Sequence, residues 1–288
     1  MSRATGEVEY YRTMNLRSFT KFIEAKTYQV AMDVTTEQLQ DMDRQWGIQV
    51  MSMAESILVN EISQSINKHI LSRVFALGWQ NNYDINKVEK MTLNCSVNPA
   101  RSTTSRVTFL GKLGFGVECD VKAFTNVGGF ENMSTIQRRI QTNILAASNI
   151  IQQRGRRGPG NFIVTNLILA TALQDNSNYS FSPSVNTLAQ DSGALYPMGT
   201  VFGMNLYVDP NMAMDDTRIV VGRKGDDYEP GIKLMPYIMA EVIQTIVEGS
   251  MAPKIAVKTR YALVEAGHHP QTQYYTFYVD GAKDHLIA

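Results

Sequence analysis

An apolar side chain recurs every four residues in one long segment, and polar residues occupy the opposite side. The repeat consists of Val50, Ala54, Leu58, Ile62, Ile66, Ile70 and Val74. This spacing predicts one apolar stripe along an amphipathic helix. Gly78 follows the stripe, so we expect a helix of about 30 residues, roughly 45 Å long, that ends there. Such a helix could be a central core helix or a strut that spans an elongated subunit, and its length favours the strut.

Apolar and polar residues alternate immediately before this segment. Tyr28, Val30, Met32 and Val34 share one side, which predicts a half-buried strand. Thr35 and Gln38 then form a capping-box pattern, and we expect the helix that starts there to end or bend near Gly47.

A second capping box, Ser134 with Gln137, predicts a helix that runs to about Gln153. Its buried face should consist of Ile136, Ile140, Ile144, Ala147 and Ile151. A strand is expected to start at Phe162, and Asn166 should cap a short helix that continues through Leu173.

Short strands dominate the remaining pattern. The predicted strands are Arg106–Leu110, Phe115–Val121, Met204–Val208, Arg218–Val221, Ile232–Ile238, Lys254–Val264 and Gln273–Val279. Residues 174–200 are rich in Asn, Ser, Gly and Pro and predict long surface loops. The order of strands, helices and strands, without regular βαβ alternation, predicts an α+β fold.

The overall charge excludes two classes of protein. The chain has 288 residues, with 27 Lys and Arg against 27 Asp and Glu, so its formal net charge is zero. This balance excludes a strongly basic nucleic-acid coat and an acidic disordered chain. Charged residues make up only 19% of the chain, below the roughly 25% of typical soluble domains. We therefore expect other protein to cover part of the surface. No apolar run is long enough to cross a membrane, and residues 1–20 lack the pattern of a signal peptide.

Candidate catalytic and metal-binding patterns all have a simpler structural interpretation. Cys95 and Cys119 have no partner at the spacing of a zinc site, and the adjacent His268 and His269 predict a loop pair. The glycine-rich run 111–116 does not match a phosphate loop and is more typical of a hairpin turn. The carboxylate pairs at 215–216 and 226–227 lie in turn-like sequence, where such pairs are usually solvated. We therefore expect no enzyme active site, no metal and no cofactor.

One charge pattern does stand out. Residues 132–174 contain five Arg and no other charged residue, and residues 175–217 contain five Asp and no other charged residue. The two blocks could be solvated by chance, or the basic block could bind nucleic acid. A third interpretation is head-to-tail assembly, in which the basic face of one copy meets the acidic face of the next. The candidate interface residues are Arg154, Arg156, Arg157, Asp209, Asp215 and Asp216.

Five segments in the second half of the chain resemble a known family in order and spacing. They are Arg-Arg-Gly-x-Gly-Asn-Phe-Ile at 156–163, Tyr-Val-Asp-Pro at 207–210, Val-Val-Gly-x-Lys-Gly at 220–225, Gly-Ile followed by Pro-Tyr at 231–237, and Lys-Thr-Arg-Tyr-Ala-Leu at 258–263. The last is the most specific. The set resembles the major capsid proteins of T-even-type tailed bacteriophages, within the Hong Kong 97-type capsid family. The resemblance covers about residues 19–280, strongly over 155–264 and weakly over 80–130.

This resemblance implies a Hong Kong 97-type capsid fold, in which a peripheral domain holds a long spine helix and an axial domain points to the capsomer centre. We expect residues 1–18 to be a remnant of an N-terminal arm, residues 19–133 and 246–288 to form the peripheral domain, and residues 134–245 to form the axial domain. Family members usually have a long arm and an extended loop before the first strand, whereas about 20 residues precede it here. This departure leaves open whether an arm contributes contacts.

The function implied by the resemblance is that of a major capsid protein without catalytic activity. Such a chain is made in the host cytoplasm and assembles with itself, head to tail, into hexameric and pentameric capsomers of an icosahedral virion shell. The shell encloses DNA without sequence-specific binding, and vertex, decoration, portal and scaffold proteins are the other expected partners. Alternatives are a related vertex protein or a compartment shell protein. From a different class, a nucleic-acid-binding module could use the arginine loop at 154–157, and a hydrolase is more remote.

Overall fold

The computed structural model describes residues 18, 20–47, 49–88, 104–108, 118–122, 133–174, 179–181, 195–214, 216–247 and 252–279. Its helices are α1 (Thr36–Trp46), α2 (Val50–Val88), α3 (Met133–Gly155) and α4 (Leu167–Gln174), with a short 3-10 helix at Pro270–Gln273. Its strands are β1 (Lys26–Asp33), β2 (Thr104–Thr108), β3 (Glu118–Lys122), β4 (Phe162–Thr165), β5 (Tyr179–Phe181), β6 (Tyr196–Val201), β7 (Met204–Val208), β8 (Arg218–Gly222), β9 (Gly231–Ile246), β10 (Pro253–Ala266) and β11 (Tyr274–Tyr278). The combination of helices with sheets agrees with the predicted α+β class.

The ends of α1 are those that the sequence predicted. Thr35 is the N-cap, and its side-chain oxygen accepts a hydrogen bond from the Gln38 backbone N–H at 3.3 Å. Gly47 follows the helix with a φ of 64°, a left-handed conformation that glycine adopts at little cost, and its N–H reaches the Asp43 carbonyl. No residue of α1 is buried, so the helix lies on the surface of the chain.

The long helix α2 does not end at Gly78, and that prediction was wrong. It contains 39 residues and is therefore about 58 Å long. Gly78 lies inside it, where the helix approaches β11 so closely that a Cβ at this position would lie 2.0 Å from Thr276 Oγ1. The glycine is thus required for the close approach of a helix to a strand.

The apolar stripe of α2 packs against two different sheets. In its first half Ala54, Leu58 and Ile62 are buried against Ile255 and Val257 of β10. Further along, the buried residues Leu71, Val74, Phe75 and Leu77 form a second cluster with Val164, Val220 and Tyr274. One helix therefore connects the three-stranded sheet, which contains β10, to the six-stranded sheet, which contains β4 and β8.

The first sheet has three antiparallel strands in the order β1-β10-β9. Val257 of the central strand pairs with Val30 on one side and with Val242 on the other. The strand β9 is longer than predicted, with 16 residues, and most of its second half is exposed. It forms one edge of this sheet.

The second sheet has six strands in the order β11-β8-β4-β7-β6-β5. Only the β4–β7 pair is parallel among these. The sheet packs against α3, whose predicted face is buried at Ile140, Ile144, Ala147 and Ile151. The helix begins at Met133, one residue before the predicted cap Ser134.

Other predictions on secondary structure had mixed outcomes. The strands β2 and β3 pair antiparallel, as the hairpin prediction requires, and the glycine-rich run 111–116 between them lies outside the described residues. The range 174–200 is not all loop, because β5 and part of β6 lie within it. The range contains Pro197 and Gly199, which are unusual inside strands. The strand β6 forms nevertheless, because it pairs with β7 along its length.

Candidate subunit-interface surface

Arg154 lies at the end of α3, and its side chain is directed into the chain. Its guanidinium donates to Asn81 Oδ1 and, at 3.4 Å, to the Asn81 backbone carbonyl. Asn81 is fully buried in α2 and donates to the Tyr274 carbonyl at 2.7 Å. Arg154 therefore connects the end of α3 to α2 and β11.

Arg156 and Arg157, in contrast, are exposed. Arg156 has a φ of 51°, and its N–H reaches the Gln152 carbonyl at 2.9 Å, so the chain reverses just beyond the helix. The glycine expected to stop the helix, Gly155, is its last residue, and Arg156 itself takes the left-handed position. A Cβ at Gly155 would lie 2.9 Å from Gln273 Nε2, so the lack of a side chain there permits close packing.

Two of the three predicted acidic residues, Asp209 and Asp216, are held by contacts within the chain. Asp209 is 6% exposed, and its carboxylate accepts from the Asn211 N–H at 3.0 Å, which shapes the turn after β7. Asp216 accepts two hydrogen bonds from Arg218 Nε, at 2.7 and 2.9 Å, and forms an ion pair with the Arg218 guanidinium. Asp215 lies outside the described residues. Among the described residues of one chain, no hydrogen bond or ion pair joins Asp209 or Asp216 to the arginines at 154–157.

A loop that the sequence analysis did not select lies beside the arginines. Residues 223–230 connect β8 to β9, and Arg223 donates to the Pro159 carbonyl at 3.2 Å and to the Glu229 carboxylate at 3.1 and 3.2 Å. The side chain of Asn161 bonds both the N–H and the carbonyl of Lys224, at 2.8 and 2.6 Å. The pattern Gly225-Asp226 predicted only a turn. The contacts that hold the loop could not be predicted, because Pro159 and Asn161 lie more than 60 residues from Arg223 and Lys224 in the sequence.

Tyr28, His69 and Tyr261 form an aromatic cluster between α2 and the three-stranded sheet. The rings of Tyr28 and Tyr261 stack with their centroids 4.9 Å apart, and His69 Nδ1 lies 3.0 Å from the Tyr261 hydroxyl. Burial, and then the nearby charges of Arg73 and Lys26, lower the pKa of His69. Burial, and then Tyr28, raise the pKa of Tyr261 to about 12. Both shifts favour the neutral side chains at neutral pH.

Other candidate chemistry is limited in the described part of the chain. His268 and His269 are exposed in the loop after β10, as predicted, with ring centroids 4.4 Å apart. Among the described residues, no group of three or more His, Cys, Asp or Glu is placed to hold a metal ion. Within the same ranges, no helix combines the length and the apolar character needed to cross a membrane.

Comparison with known proteins gives the family. The family model of major capsid protein Gp23 matches residues 1–109 and 120–282. The chain belongs to this capsid protein family. The major capsid protein of Salmonella phage ViI is 24% identical over 248 residues, which cover 84% of this chain and 48% of that protein. The major capsid protein of Serratia phage KSP90 is 33% identical over 115 residues, which cover 38% of this chain and 25% of that protein.

The chain thus spans half or less of the length of these two curated relatives. It is also similar to solved structures at low identity. A chain from Mycobacterium phage Che8 has 11% identity and a TM-score of 0.43, covering 96% of this chain and 78% of that chain. A virus-like particle from Pyrococcus furiosus has 10% identity and a TM-score of 0.42, covering 89% of this chain and 78% of that chain.

Proposed function

We propose that the chain is a shell-building subunit of a bacteriophage head. Its copies associate into capsomers, and the capsomers tile a closed icosahedral container around DNA. The observation that carries this proposal is the match to the major capsid protein family, which extends over residues 1–109 and 120–282. The subunit acts in the virion through contacts with other copies, and its role is structural.

We further propose a Hong Kong 97-type fold, with a peripheral domain of residues 19–133 and 246–288 and an axial domain of residues 134–245. The length of α2 and its packing against both sheets support a spine helix. The sheets do not follow the proposed division strictly, because β11 of the six-stranded sheet lies in the segment 246–288 and all but one residue of β9 lies in 134–245. The two-domain division stays a prediction.

The predicted interface residues differ in what they offer to a neighbouring copy. Arg156 and Arg157 are exposed and suit a contact between subunits, since arginine binds carboxylates through a planar, permanently charged group. Arg154, Asp209 and Asp216 are engaged inside the chain. For these three we propose an indirect role, in which they fix the backbone beneath the contact surface.

Sedimentation velocity and negative-stain electron microscopy of the purified full chain test the proposed function. We expect capsomers or shell-like particles, because obligate assemblies bury upwards of roughly 2,000 Å² per interface. A compact monomer at every protein concentration would contradict the proposal. A monomer that binds DNA with a steep salt dependence would instead favour the nucleic-acid alternative, because phosphate contacts weaken strongly with salt.

A further inference from the structure

The loop 223–230 projects an aromatic side chain directly after two acidic residues. Tyr228 is 94% exposed, and Asp226 and Asp227 beside it are exposed too. A tyrosine this exposed leaves its whole ring available for a contact. Tyrosine and arginine are the residue types that, with tryptophan, dominate the binding energy of protein interfaces.

Contacts within the chain hold the base of this loop, whereas the tip at 226–228 is exposed. Arg223 and Glu229 form an ion pair at 3.1 Å whose side chains are both largely buried. Glu229 also donates its N–H to the Asp226 carbonyl at 3.0 Å, which closes the tip as a tight turn. On the other side Pro230 packs against Gly267, where a Cβ would lie 2.4 Å from the proline Cβ. The tip is therefore held in one conformation before any partner binds, which lowers the entropic cost of binding.

The Arg156–Arg157 pair lies on the neighbouring turn. The Arg223 guanidinium bonds the Pro159 carbonyl, so the base of the loop and the turn after α3 are in direct contact. Within the described residues, no hydrogen bond or ion pair is formed by the side chains of Arg156, Arg157, Asp226, Asp227 or Tyr228. Each copy thus carries two positive and two negative groups on two turns that are in contact, and within the described residues no ion pair joins the two pairs.

We infer that the tip formed by Asp226, Asp227 and Tyr228 of one copy binds Arg156 and Arg157 of a second copy. The inference rests on the proposed function, which requires contacts between identical chains. The two patches have opposite charge, and the tyrosine ring that follows the two aspartates offers a face on which a guanidinium stacks. Head-to-tail association satisfies both patches of every copy, because each copy supplies one acidic tip and one arginine pair.

This contact replaces the acidic partner expected from the charge blocks. Asp216 is already paired with Arg218, and Asp209 is buried. The carboxylates at 226 and 227 are exposed, and no ion pair joins them to another residue in the described part of the chain. The two hypotheses predict different rescue experiments.

The experiment measures assembly of the full chain by sedimentation for two charge-reversed variants, R156E/R157E and D226K/D227K. Each variant alone should fail to assemble at concentrations where the unmodified chain assembles, because it presents two like-charged patches. An equal mixture of the two should assemble, since every contact then joins opposite charges when the two variants alternate. The control variant E37K/D41K lies on the exposed helix α1 and changes the net charge by the same amount as D226K/D227K. It should assemble as the unmodified chain does.

The mixture decides whether the contact is between copies. If the patches met within one chain, the mixture would not recover, and this result would overturn the inference. Recovery of R156E/R157E by D215K/D216K in the same chain, without recovery by D226K/D227K, would also overturn it in favour of the other acidic block.

Tyr228 gives an independent measurement. Y228A should raise the protein concentration needed for half-assembly by about tenfold or more, whereas Y228F, which retains the ring, should change it little. Equal assembly of Y228A and the unmodified chain would count against the inference. If the unmodified chain itself forms no assembly, the proposed function fails; if it assembles and all these variants assemble equally well, only the contact inferred here is wrong.

Discussion

Gly78 of α2 and Thr276 of β11 are in direct contact across the interface between helix and sheet. A Cβ added to Gly78 would lie 2.0 Å from Thr276 Oγ1 and 2.8 Å from the Thr276 backbone nitrogen. Thr276 Oγ1 also donates to the Phe75 carbonyl at 3.2 Å, one turn earlier in the same helix. The helix is therefore held against β11 at a separation that only glycine permits.

Replacing Gly78 by alanine should destabilise the chain. The added methyl group would force the helix away from the β11 backbone, and overpacking of this kind costs about 1–3 kcal/mol. This loss exceeds the gain of about 0.5–1 kcal/mol that alanine gives inside a helix. Thermal and denaturant unfolding should therefore show a lower stability for G78A. The control S63A changes an exposed position of the same helix and should be nearly neutral; equal stability of G78A and the unmodified chain would contradict the contact.

A charge in the first half of the α2 stripe should prevent folding or assembly. Ile62 is 4% exposed and packs in the cluster with Ile255 and Val257. I62D would bury a carboxylate without a partner, which costs far more than a cavity of the same size. We expect insoluble or unassembled protein, judged by soluble yield and sedimentation. S63D introduces the same charge one residue later on the exposed side and should remain soluble; full assembly of I62D would show that the stripe is not buried.

Removing the Arg154 side chain should weaken the connection between α3 and α2. Hydrogen bonds that involve a charged group contribute about 1.5–3 kcal/mol, and R154A would also leave the buried Asn81 amide with one partner fewer. The free energy of unfolding should fall by about that amount. R156A removes an exposed arginine two residues away and should leave the stability unchanged. If R154A were as stable as R156A, the contact with Asn81 would not contribute to the fold.

The stability of the chain should fall on acidification, in part through His69. Because burial and nearby positive charges lower the pKa of this imidazole below its usual 6.5 in the folded chain, the unfolded chain binds more protons below that pH. The contribution of His69 is therefore complete above pH 6.5 and is lost as the pH falls through the pKa of the folded state. Unfolding free energies measured at about pH 7.5 and at about pH 5 should show a smaller loss for H69Q than for the unmodified chain.

His268 provides the comparison for this measurement. It is exposed in the loop after β10, so H268Q should show the same loss of stability on acidification as the unmodified chain. An unchanged loss in H69Q would show that His69 does not contribute to the acid sensitivity.

Several elements could be predicted from the sequence because their cause is local. Thr35 and Gly47 define the two ends of α1 through hydrogen bonds to residues three or four positions away. Asn166 caps α4 by accepting a hydrogen bond from the Leu169 N–H at 2.9 Å. The strand β7 has the predicted bounds. The apolar repeat of α2 likewise identifies its buried side, since side chains four residues apart share one face of a helix.

The candidate site was only partly visible in the sequence. The arginines at 154–157 were selected from charge alone, yet charge does not distinguish Arg154, which bonds Asn81, from the exposed Arg156. For the loop with Tyr228 the sequence predicts only a solvated turn. The bond from Arg223 to the Pro159 carbonyl, which helps to hold the loop, joins residues more than 60 positions apart and leaves no local pattern.

The sequence by itself determined the α+β class, the caps of α1 and α4, the apolar stripe of α2 and the family resemblance, because these depend on residues that are close together along the chain or on the order of short segments. Tertiary structure alone decided that α2 continues past Gly78, that β6 forms despite Pro197, and which charged residues remain exposed. The physical reason is that each of these outcomes depends on a partner supplied by a distant segment: Thr276 for Gly78, β7 for β6, and Asn81 for Arg154.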